Sequence, residues 1–404
     1  MTTPDTDTLY TQSLAWFAEG KVDLALSALQ ECLQQAPDNV EYALQLAAFQ
    51  RECDQLDSAR NTLSQALVYS PEHAPLNYEL GCLFHVAGQL EHALNYYREA
   101  LKLNPKMAAG WHQLGRLLQQ LERNAQATDA FQEALHLEPE NPRFANSAGL
   151  HFYFLEKADQ ARECFAKALQ GPLSQERRGH CLLNAAMAYM LNPVDLKQAL
   201  QCFKEACTLD TAYVQEVQQV GAYFFQLRNY LVAEPFFRLA LHHADEAETR
   251  FTLHLKLANC YERLCYLQSA LDHYQEALAI RPDRWLLEIQ AGFLLPIIYE
   301  TPESIFAWRD RFALSLHAFL ARSEAAGFPR SVQSLEIYAP PFLLAYQGLN
   351  HKKLLALLSQ FWREILHLPA LPPDALQRQP AKRKAPRRKI AFLSSFLFKH
   401  SVTG

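Results

Sequence analysis

The chain has 404 residues, of which 50% are hydrophobic, and its formal net charge is −5. This composition allows a large core, while the small number of glycines, 13, argues against a glycine-rich cofactor-binding fold. No apolar stretch reaches the ~20 residues of a membrane span, and the N-terminus has no basic segment followed by an apolar run. We therefore expect no signal peptide. Charge is uneven, since residues 371–404 carry eight Lys or Arg and one acid.

The nine cysteines are scattered and form no C-x-x-C pair. Several fall within predicted helices, where small apolar residues belong. This usage predicts reduced core thiols in a cytoplasmic protein rather than disulfides or a metal site.

A 34-residue unit, Ala108 to Asn141, sets the pattern of the chain. It predicts two helices separated by a polar break, with Pro139 ending the second helix. Gly115 and Ala127 are small where the helices approach closely, and Phe131 supplies bulk beside them. The unit resembles a tetratricopeptide repeat at nearly every signature position.

The unit recurs seven more times, in three columns of residues. The position of Ala127 is alanine throughout, at Ala25, Ala59, Ala93, Ala161, Ala199, Ala233 and Ala270. The position of Gly115 is always small, at Ser13, Ala47, Gly81, Gly149, Ala186, Gly221 and Ala258. The position of Phe131 is always large, at Leu29, Leu63, Tyr97, Phe165, Phe203, Phe237 and Tyr274.

These columns predict eight repeats over residues 6–284. The predicted starts are Thr6, Val40, Ala74, Ala108, Pro142, Gly179, Val214 and Phe251. Extra residues in the longer repeats fit loops near 171–179, 192–195 and 242–248. Each repeat exposes an apolar face that only its neighbours cover, so we expect an all-α, right-handed superhelix, an α-solenoid.

The first helix of each repeat is expected to line a concave groove that binds extended polypeptides. Residues 1–370 carry more acids than bases, so we expect the groove to favour basic segments. Ordinary solvated helix residues are the alternative interpretation at each position. The candidate groove residues are Glu79, His112, Gln113, Arg116 and Asn184.

Residues 285–370 predict a helical cap and connector. Thr301 resembles an N-cap before Pro302, which begins a helix that should end near Ala326. A short helix is expected over Pro341–Gln347. Asn350 is expected to cap a further helix, whose apolar stripe is Leu354, Leu358, Phe361 and Ile365. Trp308 and Trp362 are interpreted as packing residues.

Residues 371–389 predict a proline-rich, basic linker. The run 378–389 has seven basic residues in twelve, which fits a nuclear signal, a nucleic-acid contact or a solvated connection; we favour the last. Residues 390–404 then predict a buried strand and loop, the short start of a truncated α/β domain. One strand cannot form a sheet, so the chain is expected to be the front part of something longer.

The repeats, the connector segment 342–358 and the segment 389–404 together resemble the protein O-linked N-acetylglucosamine transferases and SPINDLY-type proteins of glycosyltransferase family 41. The resemblance implies two Rossmann-like (GT-B) lobes that bind UDP-N-acetylglucosamine or GDP-fucose without a metal. It also implies that His400 lies in the active site. Of the asparagine ladder of the animal enzymes, only Asn184 is present here.

The first hypothesis is therefore the acceptor-recognition arm of a protein O-glycosyltransferase, acting on Ser or Thr of proteins. By itself the chain is expected to hold no cofactor and to transfer no sugar. The alternative is a non-enzymatic repeat scaffold for protein–protein interaction. A nucleic-acid adaptor using the basic run is the third hypothesis, which predicts strongly salt-dependent binding.

Overall fold

The computed structural model describes residues 6–191, 194–296, 299, 301–326 and 352–365. Every regular element within these ranges is a helix. The chain divides into two compact units, Met1–Tyr266 and Leu267–Gly404, which are described separately.

The described residues of the first unit form fifteen α-helices, in which odd-numbered first helices alternate with even-numbered second helices. A short 3₁₀ turn, Thr211–Tyr213, precedes α13. The bounds are α1 Thr6–Ala18, α2 Val22–Gln35, α3 Val40–Glu52, α4 Leu56–Tyr69, α5 Ala74–Val86, α6 Leu90–Leu103, α7 Ala108–Gln120, α8 Asn124–Leu137, α9 Pro142–Phe154, α10 Ala158–Gln170, α11 Gln175–Tyr189, α12 Leu196–Leu209, α13 Val214–Gln226, α14 Tyr230–His243 and α15 Ala247–Arg263.

Close helix packing explains the small and large columns. A Cβ atom added at Gly81 would lie 2.6 Å from the Tyr97 ring, and one at Gly149 would lie 2.8 Å from the Phe165 ring. At Gly115 the corresponding distance to the Phe131 ring is 3.0 Å. Only a residue without a side chain permits these approaches. The alanine column is fully buried at all eight positions, Ala25, Ala59, Ala93, Ala127, Ala161, Ala199, Ala233 and Ala270.

The turn inside seven of the eight repeats has a recurring hydrogen bond that closes the first helix. In the third repeat, the Gln89 N–H donates to the Phe84 carbonyl at 2.9 Å, which is a Schellman motif with Gly88 at φ 73°. Six other repeats have the same bond. Their left-handed residues are Gly20, Asp54, Glu122, Glu156, Arg228 and Cys265.

Two first helices begin four residues earlier than the sequence indicates. α11 begins at Gln175 rather than Gly179, and α15 begins at Ala247 rather than Phe251. Extra residues in these repeats therefore lengthen helices as well as loops. At α11 the reason is local, because the Ser174 side chain accepts a hydrogen bond from the Arg177 N–H and caps the helix earlier.

The second unit contains four described helices, α16 Leu267–Ile280, α17 Trp285–Gly292, α18 Pro302–Ala326 and α19 Lys352–Ile365. Leu354, Leu358 and Phe361 are buried in a core with residues of α17 and α18, as the apolar stripe predicts. Trp308 and Trp362 pack against that core.

Helix α18 has the predicted start. Thr301 Oγ1 accepts a hydrogen bond from the Ser304 N–H at 3.2 Å, and Pro302 is the first helical residue. Farther along the helix, Arg311 donates to the Ala291 carbonyl at 2.7 Å and also to the Leu294 carbonyl. It thus satisfies carbonyls at and beyond the end of α17.

Several predicted features lie outside the described residues. These are the short helix at 341–347, the Asn350 cap, the linker 371–389, the strand and loop at 390–404, and His400. Nothing in the described residues supports the predicted start of an α/β domain.

Candidate functional site

The first helices of the middle repeats form a continuous layer. α3 contacts α5, α5 contacts α7, α7 contacts α9, and α9 contacts α11. The sixth residue of each of these repeats, counted from the predicted starts, is half-buried, so its side chain is partly open to solvent. We call this surface the first-helix face, and its sixth-position residues are Gln45, Glu79, Gln113, Ser147 and Asn184.

Glu79 is paired with a charge from the preceding repeat. Arg51 Nη1 lies 2.7 Å from Glu79 Oε2, and both side chains keep substantial solvent contact. The acid therefore offers less net negative charge than its sequence position suggests. Exposed pairs of this kind are screened by solvent and contribute about 0–1 kcal/mol.

His112 has its ring inside the stack, where it is only 4% exposed. Its Nε2 lies 2.8 Å from Ser147 Oγ in a hydrogen bond, and the ring stacks on Phe144 at 4.8 Å between centroids. Burial, followed by the positive charges of Arg116 and Arg143, lowers the pKa of His112 to about 4. At neutral pH the ring is uncharged, and it links α7 to α9 rather than presenting a surface to a ligand.

Gln113 and Arg116 lie on the open side of α7, where Gln113 is half-buried and Arg116 is exposed. Arg116 Nη1 donates to Gln113 Oε1 at 3.2 Å. This contact orients the amide, while the guanidinium keeps further donors for a carboxylate or a main-chain carbonyl.

Asn184 forms a pair of amides with the fifth repeat. Asn184 Nδ2 lies 3.5 Å from Asn146 Oδ1, and both residues are half-buried. The bond leaves Asn184 Oδ1 and Asn146 Nδ2 as an acceptor and a donor. Those are the two groups that a peptide unit of a bound chain requires.

Sequence reasoning missed three residues of this face: Arg51, Asn146 and Ser147. Each contacts a residue of a neighbouring repeat that the sequence did single out. Their signal was a separation close to one repeat length, 28 residues for Arg51–Glu79, 35 for His112–Ser147 and 38 for Asn146–Asn184.

Other kinds of chemistry find little support in the described part of the chain. No group of three or more His, Cys, Asp or Glu is placed there to hold a metal ion. Burial raises the pKa of Cys181 to about 12 and that of Cys202 to about 11, so both thiols stay protonated and unreactive at neutral pH. Among those same residues, no helix is both long and apolar enough to cross a bilayer.

Family models confirm the repeats. Models described as tetratricopeptide repeat match residues 17–78, 112–176, and both 74–107 and 251–284. The chain therefore contains tetratricopeptide repeats, and its described part is an all-helical repeat fold. These comparisons give no support to the glycosyltransferase resemblance.

Solved repeat structures resemble parts of the chain. MamA from Desulfovibrio magneticus RS-1 is 19% identical over 42% of this chain and 96% of its own, with a TM-score of 0.38. A tetratricopeptide repeat protein from Parabacteroides merdae is 15% identical over 70% of this chain and 96% of its own, with a TM-score of 0.40. YrrB, described as a TPR protein with an unusual peptide-binding site, is 20% identical over 56% of this chain and 95% of its own, with a TM-score of 0.35. No curated protein matches the chain.

Proposed function

We propose that this chain binds extended polypeptides along the first-helix face. The observation that carries the proposal is the unbroken contact of α3, α5, α7, α9 and α11, which aligns polar side chains of successive repeats. A bound chain that follows this layer meets a new set of donors and acceptors at each repeat.

The contacts divide into two kinds. Gln113 and the Asn146–Asn184 pair offer amide groups to the main chain of a ligand, which gives affinity without sequence preference. Arg116 and the Arg51–Glu79 pair offer charge to its side chains. Met187, one turn beyond Asn184 and 37% exposed, adds an apolar contact. His112 supports this surface from within.

An array of capped 12-residue peptides, followed by fluorescence polarisation of the best binder, tests the proposal. Replacing Gln113 and Asn184 together by Ala should weaken binding more than tenfold, because two main-chain partners are lost. Gln132→Ala, on the exposed side of α8, is the matched control and should change nothing. Equal affinities of the double variant and the native chain would exclude the first-helix face as the binding surface.

Charge at Glu79 provides a second test. Glu79→Lys places a cation beside Arg51, so repulsion should weaken a basic peptide several-fold and strengthen an acidic one. Both effects should shrink at 0.5 M salt, as expected for partly exposed charges. An unchanged preference between the two peptides would remove this residue from the binding surface.

At a finer level, we propose that the bound polypeptide is the acceptor of a protein O-glycosyltransferase. The support is the resemblance of segments 342–358 and 389–404 to glycosyltransferase family 41. In that setting the donor is UDP-N-acetylglucosamine or GDP-fucose, and His400 orients a reactant. A plain interaction scaffold is the alternative, and it requires only the repeats.

Acceptor chemistry separates these two possibilities. An acceptor arm should prefer peptides that contain Ser or Thr, so replacing every Ser and Thr of the best binder by Ala should weaken it. A scaffold has no such requirement. A diphosphate needs fixed positive groups, and on the first-helix face Arg51 is already paired with Glu79. Calorimetry should therefore detect no binding of either sugar nucleotide to the chain. Micromolar binding of either sugar nucleotide would contradict the proposal that these repeats bind only the acceptor polypeptide.

A further inference from the structure

One repeat departs from the others at a position that normally fills the space between helices. The eleventh residue of the repeat, counted from the predicted starts, is large and apolar or aromatic in seven repeats, at Trp16, Phe84, Leu118, Phe152, Tyr189, Phe224 and Tyr261. In the second repeat it is Gln50. The side chain is 3% exposed, so a buried carboxamide stands where the other repeats have a buried or half-buried ring or aliphatic group.

A cleft of about 660 Å³ lies beside this substitution. Gln50 and Leu46 of α3 contribute to its lining, and α2 and α4 supply the rest apart from Pro37 and Gln55. The second helices form its sides, so the cleft is separate from the first-helix face. Its size falls within the range of about 300–1,000 Å³ that is usual for ligand sites.

The cleft, which we call the amide cleft, is lined by neutral hydrogen-bonding groups. Its side-chain amides are Gln30, Gln34, Gln50, Gln55, Asn61 and Gln65. No acidic or basic residue belongs to its lining. The stripe on α4, which includes Ser58, Asn61 and Gln65, follows the three- and four-residue spacing of one helix face.

One of the two polar atoms of the Gln50 side chain, the oxygen, is hydrogen-bonded within the chain. Thr62 Oγ1 donates to Gln50 Oε1 at 3.0 Å, and Thr62 is also buried. This is the one side-chain hydrogen bond that the described residues give Gln50. Its Nε2 therefore remains a donor at the base of the amide cleft, without an acceptor among those residues. An unpaired donor of this kind, on a side chain that is otherwise buried, favours a ligand that carries a carbonyl oxygen.

One end of the amide cleft is apolar. Val68 and Tyr69, at the end of α4, are 79% and 59% exposed, and Pro37 lies with them in the lining. Exposed apolar residues at the end of a polar cleft fit an aliphatic or aromatic side chain of a ligand.

We propose that the amide cleft is a second binding site, for an extended, uncharged polypeptide segment with one apolar side chain at the Val68–Tyr69 end. From Ser58 to Tyr69 the helix advances about 16 Å, which accommodates about five extended residues. The main chain of the segment presents carbonyl and N–H groups to the amides, and one carbonyl accepts from Gln50 Nε2. This proposal does not depend on the first-helix face.

The lining explains why other ligands are less suitable. A phosphate or carboxylate needs fixed positive charge, and no basic residue lines the amide cleft. A charged peptide would leave its charge without a partner there. A neutral oligosaccharide also makes many hydrogen bonds. However, an oligosaccharide carries no projecting aliphatic or aromatic side chain for the exposed apolar end at Val68 and Tyr69.

The experiment uses the whole chain and an array of capped, uncharged hexapeptides. Each carries one Phe, Leu or Val in a background of Ser, Thr, Asn and Gly, and a parallel array replaces one background residue by Lys or Glu. Fluorescence polarisation then measures the best uncharged peptide, and cello-, malto- and chito-hexaose are tested as competitors. We expect binding by uncharged peptides and a loss of more than tenfold when charge is introduced.

Two variants locate the binding. Gln50→Phe introduces the residue type of the other repeats and should abolish binding. It also leaves the buried Thr62 hydroxyl without its acceptor, so its melting temperature is measured to show that the variant is folded. Gln65→Glu, on an exposed position, introduces charge without disturbing the core and should weaken binding at least fivefold. Gln132→Glu on α8 is the matched control, and Gln113→Ala shows independence from the first-helix face; neither should alter affinity.

Three results would overturn the proposal. The first is the absence of binding by any uncharged peptide. The second is binding that survives both Gln50→Phe and Gln65→Glu. The third is binding of a hexaose, lost in Gln65→Glu, with no peptide bound, which would make the amide cleft a carbohydrate site.

Discussion

The second and fourth repeats solve one packing problem with different residues. In the fourth, Gly115 lies against the Phe131 ring, with a hypothetical Cβ 3.0 Å from it. In the second, Ala47 and Leu63 occupy the corresponding positions, and both are buried. Leucine is smaller than phenylalanine, so it leaves room for alanine in place of glycine. The combined volume of the two side chains sets the distance between the helices.

The two repeats differ more at the positions around that contact. The second repeat buries the hydrogen-bonded polar pair Gln50–Thr62 where the fourth has Leu118 and Ala130, and a cleft lies beside the pair. The fourth repeat instead buries His112, whose counterpart in the second is Leu44. The repeat fold thus tolerates polar groups at different places, provided each finds a partner.

The largest expected effect comes from the alanine shared by both repeats. Ala127→Trp should lower the free energy of unfolding by about 3 kcal/mol, since the added ring has no space between α7 and α8. Ala59→Trp should cost as much if the second helix pair is equally close. The melting temperature gives the measurement, and Ala125→Trp, at an exposed site on α8, is the control. Equal melting of Ala127→Trp and the native chain would contradict the packing assignment.

A pH effect should distinguish the fourth repeat from the second. The pKa of His112 is about 4 in the folded chain, against 6.5 for the free side chain. Between these values the unfolded state binds more protons, so stability falls as pH decreases from 6.5 to 4 and this contribution then stops changing. The loss is at most about 3 kcal/mol, at roughly 1.4 kcal/mol per pKa unit.

His112→Leu, which copies Leu44 of the second repeat, removes this titration. As pH falls from 7 to 4, the melting temperature of the native chain should fall relative to that of the variant, because contributions of the other groups cancel in the difference. A constant difference across that range would mean that the His112 ring does not resist protonation.

A smaller effect tests whether the residue in the small column and the residue in the large column compensate for each other's size. Gly115→Ala should destabilise the chain by about 1–2 kcal/mol through contact with the Phe131 ring, even though alanine favours a helix by about 1 kcal/mol. Adding Phe131→Leu reproduces the combination of the second repeat and should recover part of this loss. A double variant whose cost equals the sum of the single costs would show that the two positions are not coupled.

The repeated columns made most of the first unit predictable. Six of the first helices begin at the expected residues, which are Thr6, Val40, Ala74, Ala108, Pro142 and Val214. Periodicity of this kind reports on packing at many positions at once, so single unusual residues do not obscure it. The earlier starts of α11 and α15 were missed because helix extension depends on local capping, not on the repeat period.

The candidate site was less predictable, for a physical reason. Glu79, Gln113 and Asn184 were identified as groove candidates, but their partners come from neighbouring repeats or the next turn and depend on the exact offset between helices. The His112 ring, for example, points inward and hydrogen-bonds to Ser147, an orientation that the sequence pattern does not determine. Gln50 carried a sequence signal, since it interrupts an apolar column, but this interruption shows a ligand site only when the adjoining cleft is visible.

The smallest predicted effect concerns the turns that close the first helices. Both repeats use a left-handed residue there, Asp54 at φ 60° in the second and Glu122 at φ 58° in the fourth. A left-handed backbone costs most residues about 1–2 kcal/mol, but aspartate tolerates it better than glutamate. Glu122→Gly should therefore raise stability by about 0.5–1 kcal/mol, since relief of strain exceeds the extra entropy that glycine gives the unfolded chain. Asp54→Gly should give a smaller gain. Denaturant midpoints at constant slope provide the comparison, and Gly88→Ala, which introduces the strain in the third repeat, should act in the opposite direction. If Asp54→Gly stabilises the chain more than Glu122→Gly, factors other than backbone conformation, such as charge at the turn, control these positions.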